Sequence, residues 1–103
     1  MRNLTLLTDL YEITMAYGFY KHRKHEEEAV FDIFFRQNKL ITYSLAAGLQ
    51  QAMDYLLHWR FSEDDMAYLR SLNLFEEDFL SYLEKMRFTG DVYAVKEGEP
   101  VFP

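Results

Sequence analysis

Two stretches of this chain carry side chains whose types and spacing could handle a small anionic or aromatic ligand. The first is LLTDLYEITMAYG, residues 6–18, with Asp9 and Tyr11 two positions apart. A tyrosine ring offers a flat apolar face for stacking, and its hydroxyl can reach water or a polar partner. With eight tyrosines and nine phenylalanines in the chain, packing in a core is the competing role for Tyr11. Asp9 and Glu12 have the D-x-x-E spacing of a helix capping box, so Asp9 reads equally as a cap. The second stretch is FDIFFRQNK, which ends an aromatic run on Arg36. A guanidinium can give phosphate two parallel hydrogen bonds. The alternative is an arginine that simply reaches out to solvent. Lys39 nearby would add positive potential or be solvated.

Other candidates are thinner. Gly48, in SLAAGLQQA, stands between an expected strand and an expected helix. Helix N-termini attract anions, yet a single glycine there also serves close strand–helix packing. No G-x-G-x-x-G or P-loop pattern occurs. His22, His25 and His58 lack metal-ligand spacing. His22 and His25 are expected to be solvated, and His58 to cap a helix end. HEEE at residues 25–28 reads as an exposed loop. No catalytic residue and no metal site is assigned from these residues.

The elements that must position Asp9, Tyr11 and Arg36 follow from periodicity. A first helix is expected over about residues 9–23, with Leu10, Ile13, Ala16, Tyr17 and Tyr20 on one face. Residues 29–36 switch to period two, with Ala29, Phe31, Ile33 and Phe35 alternating with Val30, Asp32, Phe34 and Arg36. This pattern predicts a strand. A shorter strand is expected over 41–48 and a helix over 49–60. Ser62 and Asp65 open a third helix with Met66, Leu69 and Leu72 as its stripe, and Asn73 is suited to stop it in the left-handed region. A fourth helix is expected over 75–87 with Phe79, Leu80, Leu83 and Met86 inward. GDVYAV, the turn KEGE and PVFP predict a terminal hairpin cut off in its return strand, so that the chain is a piece of a longer protein and is expected to self-associate through that strand. The fold class is α+β, with helices packed on a small mixed sheet.

Composition bounds the partners. One domain of 103 residues, half of them hydrophobic, has the material for a core. A net charge of −6 argues against nucleic acid or an anionic membrane as the main partner. With no cysteine, disulfides and thiolate metal sites are excluded. The N-terminus does not read as a signal peptide, and no stretch approaches the ~20 apolar residues of a membrane span. A soluble cytoplasmic protein is expected.

Taken together, LLTDLYEITMAYG, FDIFFRQN, SLAAGLQQAMDYL, FSEDDMAYLRSL, FEEDFLSYL and RFTGDVYAVKEGEPVFP resemble the start of the nicotinate phosphoribosyltransferases, in order and over nearly the whole chain. The strings T-D-L-Y-E-x-T-M and F-T-G-D-x-Y-A-x-x-E-G-E-x-V-F-P are the most specific. The resemblance implies an N-terminal domain, 1–103, of a type II phosphoribosyltransferase whose larger α/β barrel lies elsewhere. It implies synthesis of nicotinate mononucleotide from nicotinate and phosphoribosyl pyrophosphate, coupled to ATP hydrolysis with Mg²⁺, as a salvage step toward NAD. A homodimer with shared active sites is also implied. Carried over by position, Tyr11 matches a tyrosine against the pyridine ring, Asp9 lies near the base site, and Arg36 matches an arginine near the donor phosphates. Gly48 falls in the family's A-G-L-x-Q-A stretch, as a structural turn. The family's phosphorylated histidine matches none of the three histidines here, so this piece alone is expected to be inactive. A nicotinamide- or quinolinate-specific relative and a non-catalytic interaction domain are the alternatives.

Overall fold

The computed structural model describes residues 2–103. They form four helices and a two-stranded sheet: α1 (Leu10–Lys21), β1 (Ser44–Leu45), α2 (Leu49–Leu57), α3 (Glu63–Ser71), α4 (Glu77–Lys85) and β2 (Pro100–Val101). The α+β class is as expected. The chain divides into two compact units. One is the chain up to Glu28 together with Trp59–Phe88; the other is Ala29–His58 together with Thr89–Pro103.

The first unit is helical and holds the core. Ile13 of α1, Phe61, Met66 and Leu69 of α3, and Phe79, Leu80 and Leu83 of α4 form one buried cluster. Tyr17 stacks edge-on to Phe75 at 5.4 Å and lies 4.9 Å from Phe79, which fastens α1 to α4. These are the stripes that the 3.6-residue period marks, and helices stabilise one another by burying them. The predicted inward face of α1 holds at four of its five positions. Ile13 is buried and Ala16, Tyr17 and Tyr20 pack on the cluster, but Leu10 is half exposed.

Local chemistry sets the helix ends. Glu12 Oε2 accepts a hydrogen bond from the Asp9 amide at 3.2 Å, completing the capping box on α1. Ser62 Oγ accepts from the Asp65 amide at 3.1 Å, and Asp65 Oδ2 accepts from the Ser62 amide at 2.8 Å. Asn73 stops α3 at φ +55°, as expected. The end of α1 is less orthodox. The Lys24 amide donates to the Phe19 carbonyl at 2.7 Å and the Arg23 amide to the Tyr20 carbonyl at 3.1 Å, with Arg23 at φ +58°. This is a Schellman motif with arginine where glycine is usual.

The second unit departs from the sequence reading. Residues 29–36 form no strand, and nothing among the described residues pairs with them. GDVYAV is not a strand either. The return segment Pro100–Val101 pairs instead with β1, antiparallel, with Ser44 opposite Val101 and Leu45 opposite Pro100. The terminal hairpin is therefore replaced by a long-range pair, and the sheet is antiparallel rather than mixed. Alternation describes which faces a strand would show, but only a partner makes the ladder. The final strand, expected to be unpaired, is thus paired along one edge. No residue of this unit is buried.

Gly48 adopts φ +94° at the start of α2. A Cβ there would meet Gln51 Oε1 at 3.7 Å, an ordinary contact, so backbone conformation rather than crowding calls for glycine.

Candidate functional site

The start of α1 is built from a buried anchor upward. Thr5 is buried, and its hydroxyl lies 2.6 Å from the Arg60 carbonyl oxygen and 2.7 Å from Asn3 Oδ1. The Thr5 amide donates to the same Asn3 oxygen at 3.0 Å. Asn3 Nδ2 in turn donates to Asp65 Oδ2 at 3.0 Å. The segment leading into α1 is thus tied to the entrance of α3. Buried polar groups satisfied in this way hold one geometry.

Above this anchor, Asp9 is the N-cap and Tyr11 the second helical residue. Tyr11 is 59% exposed and takes no part in the core. Packing does not account for it, so its ring is available to a ligand. The Tyr11 carbonyl accepts from Thr14 Oγ1 at 2.9 Å within the same helix. An open hollow at the entrance to α1 is lined by Leu7, Thr8, Asp9 and Glu12, and Tyr11 is not part of its lining. Two carboxylates at this mouth suit the positive end of the α1 dipole, and they give the hollow a negative character. Asp9 has a structural task in the capping box, so the cap reading holds for it whatever else it does.

Arg36 lies in the second unit, in the segment without secondary structure. It is exposed and makes no ion pair among the described residues. Asp9 and Tyr11 therefore share one helix start, and Arg36 belongs to a different unit.

The histidines divide. His22 is the exposed C-cap of α1, and His58 caps α2 with Nδ1 2.9 Å from the Asp54 carbonyl oxygen. His25 is not solvated as expected. The turn at Arg23 carries it back onto Tyr20 and Tyr82, with ring centroids 4.9 and 5.0 Å away. Among the described residues, no three acidic or histidine side chains are grouped to hold a metal ion.

Sequence reasoning passed over Glu97. Its Oε1 accepts from the Leu49 amide at 2.6 Å, supplying α2 with the cap that Gly48 lacks. The Ala46 amide donates to the Glu99 carbonyl at 2.9 Å and the Gly98 amide to the Ala46 carbonyl at 2.7 Å, which clamps the two turns together. Only E-G beside a predicted turn hinted at this, and the partner is 48 residues away in sequence.

The described residues show a helix start with an exposed tyrosine and, in the other unit, an exposed arginine, a portion of protein in which no reacting groups are gathered. Comparison with known proteins gives that portion its family. Residues 6–103 match the nicotinate phosphoribosyltransferase (NAPRTase) N-terminal domain, and the chain belongs to that family. It is similar to nicotinate phosphoribosyltransferase pncB2 of Mycobacterium tuberculosis, 48% identical over 101 residues that cover 95% of this chain and 21% of the relative. The Bacillus subtilis nicotinate phosphoribosyltransferase is 42% identical over 97% of this chain and 21% of its own length. That of Dictyostelium discoideum is 37% identical over 95% and 17%. The chain thus spans about a fifth of the length of the curated relatives it matches.

Proposed function

We propose that the complete polypeptide joins nicotinate to the ribosyl group of phosphoribosyl pyrophosphate, releasing pyrophosphate and forming nicotinate mononucleotide in the salvage of NAD. The observation that carries this reading is the family match over residues 6–103, with Tyr11 left exposed at the start of α1.

Displacing pyrophosphate develops positive charge at the ribose C1, and the pyridine nitrogen must approach in line. Tyr11 fits the task of holding the flat ring by stacking. Its hold is firm because Thr5 and the Asp9–Glu12 box fix the turn that carries it. Asp9 serves by capping. Direct contact with the nicotinate carboxylate would set two negative charges together without a counter-charge, which is unfavourable. Arg36, which makes no ion pair among the described residues, fits an anionic phosphate of the ribosyl donor and would help carry charge onto the leaving group. Among the described residues no group of acidic or histidine side chains is gathered to hold Mg²⁺. We therefore assign Mg²⁺, ATP and the coupling between hydrolysis and transfer to residues outside this span, and derive no step through them. A homodimer with shared sites is part of the same proposal, as is a barrel domain beyond these residues.

The deciding experiment is a turnover assay of the complete reading frame with nicotinate, nicotinamide and quinolinate, each with and without ATP. Nicotinate-dependent release of pyrophosphate, stimulated by ATP, is expected. A preference for either other base would reassign the substrate, and inactivity with all three would return the chain to a non-catalytic interaction role.

A further inference from the structure

The second unit contains a segment whose sequence and surroundings disagree. Residues 29–36 alternate in the manner of a strand, yet Val30 is 95% exposed, Phe31 88% and Phe34 76%, and Ile33 is wholly exposed. An unpaired run of β-branched and aromatic residues offers both its edges to any strand that can reach it. The charged groups on the segment itself are few, Asp32 and Arg36, so little opposes pairing. Solvent alone is a poor partner for this much apolar surface.

We propose that residues 29–36 form a β-strand completed by a strand from the remainder of the same polypeptide, beyond position 103. Three observations select that occupant. The matched domain is the N-terminal one of its family. The relatives it matches are about five times as long, so a large part of the chain is expected to follow. The two strands formed within the described residues pair with each other over two residues each and not with 29–36. Pairing places Val30, Asp32, Phe34 and Arg36 on one face and Ala29, Phe31, Ile33 and Phe35 on the other. Under the functional reading above, on which only this last point rests, strand formation fixes the face from which Arg36 meets the donor. The segment then acts as a positioning strand as well as an interface.

The test uses the complete polypeptide with the photoreactive residue p-benzoylphenylalanine replacing Phe34, prepared as an equal mixture of isotopically light and heavy protein. Cross-linked peptides are read by mass spectrometry, and amide exchange over 30–35 is followed in the unmodified protein across a wide concentration range. The expected result is a cross-link between Phe34's position and a peptide beyond 103, purely light–light or heavy–heavy, with exchange slowed about a hundredfold or more at every concentration. Mixed light–heavy cross-links, or protection that disappears on dilution, would make a second copy the occupant and overturn the proposal. So would cross-links confined to residues 2–103, or exchange as fast as in an unstructured peptide. Turnover is not read in either measurement, so failure here leaves the proposed reaction standing, and failure of the activity assay leaves the strand assignment standing.

Discussion

Glu97 caps a helix that begins 48 residues before it: its Oε1 accepts the Leu49 amide at 2.6 Å, at a point where Gly48 sets the backbone to φ +94° but has no side chain to offer. The two residues divide a task that a serine or aspartate N-cap performs alone. Replacing Glu97 with Ala is expected to cost about 1 kcal/mol, the usual loss on removing a cap. Glu97→Gln, which keeps the acceptor, should cost less. Gly48→Ala should cost a similar amount for a different reason, the left-handed backbone. Chemical denaturation of the complete protein measures all three. Equal stability for Glu97→Ala and the parent would remove Glu97 from its capping role.

Tyr11 is exposed, so its loss should be felt in binding and not in folding. In the complete protein, Tyr11→Ala is expected to raise the KM for nicotinate roughly fivefold or more, matching a stack worth about 1 kcal/mol. Tyr11→Phe should keep most of the affinity. Steady-state kinetics with the donor saturating, run beside a thermal melt, separates the two roles. A lower melting temperature with unchanged KM would place Tyr11 in the scaffold.

Arg36 has no ion pair to lose among the described residues. Arg36→Ala should therefore leave stability nearly unchanged while raising the KM for phosphoribosyl pyrophosphate more than that for nicotinate. Arg36→Lys should recover part of the loss, since a point charge replaces the fork incompletely. Parallel losses for both substrates would count against a phosphate contact.

Arg23 holds a left-handed conformation that L-residues with a Cβ resist. Arg23→Gly is expected to stabilise the protein by up to about 1 kcal/mol, because relief of the φ +58° strain outweighs glycine's extra freedom in the unfolded chain. Denaturant midpoints decide it, and a destabilised variant would show that the arginine side chain contributes more than its backbone costs.

Acid should loosen the helical unit partly through Glu77. Arg70 grips that carboxylate with Nη2 at 2.7 Å and Nε at 3.1 Å, and this hydrogen bonding holds its pKa below the ordinary value of 4.5. A depressed folded-state pKa contributes stability above the unfolded value and loses it as pH falls through the folded one. The pair is exposed, so the contribution is small. Stability measured from pH 7 down to about 3 should fall less steeply in Glu77→Gln than in the parent; identical slopes would show the pair to be inert.

What could be read from the sequence was local. D-x-x-E before α1, S-x-x-D before α3 and Asn73 after it each act within one turn, and the structure uses all three. Core positions such as Met66, Leu69, Phe79 and Leu83 follow from helical period alone. Strands were another matter. Residues 29–36 and 90–95 carry strand composition without partners among the described residues, and Pro100–Val101 finds its partner in Ser44–Leu45 rather than in its neighbour. A ladder depends on two places in the chain at once, and a pattern in one cannot announce the other. The same holds for Glu97, whose partner is remote, and for His25, which reaches Tyr82 only because Arg23 turns the chain. Of the candidate site, the structure shows Tyr11 outside the core, where the competing core role would have placed it within, while the Thr5 anchor beneath the helix start left no recognisable signature.

The helical unit is discontinuous: the chain leaves it after Glu28 and re-enters at Trp59. α3 and α4 are neighbours in sequence and can associate quickly, whereas α1 must be gathered in across an excursion of about thirty residues. Closing a loop of that length costs on the order of 3 kcal/mol of entropy. Tyr17 and Ile13 must offset that before α1 can dock. That connectivity leads us to expect α1, the helix that presents Tyr11, to dock after α3 and α4 have paired.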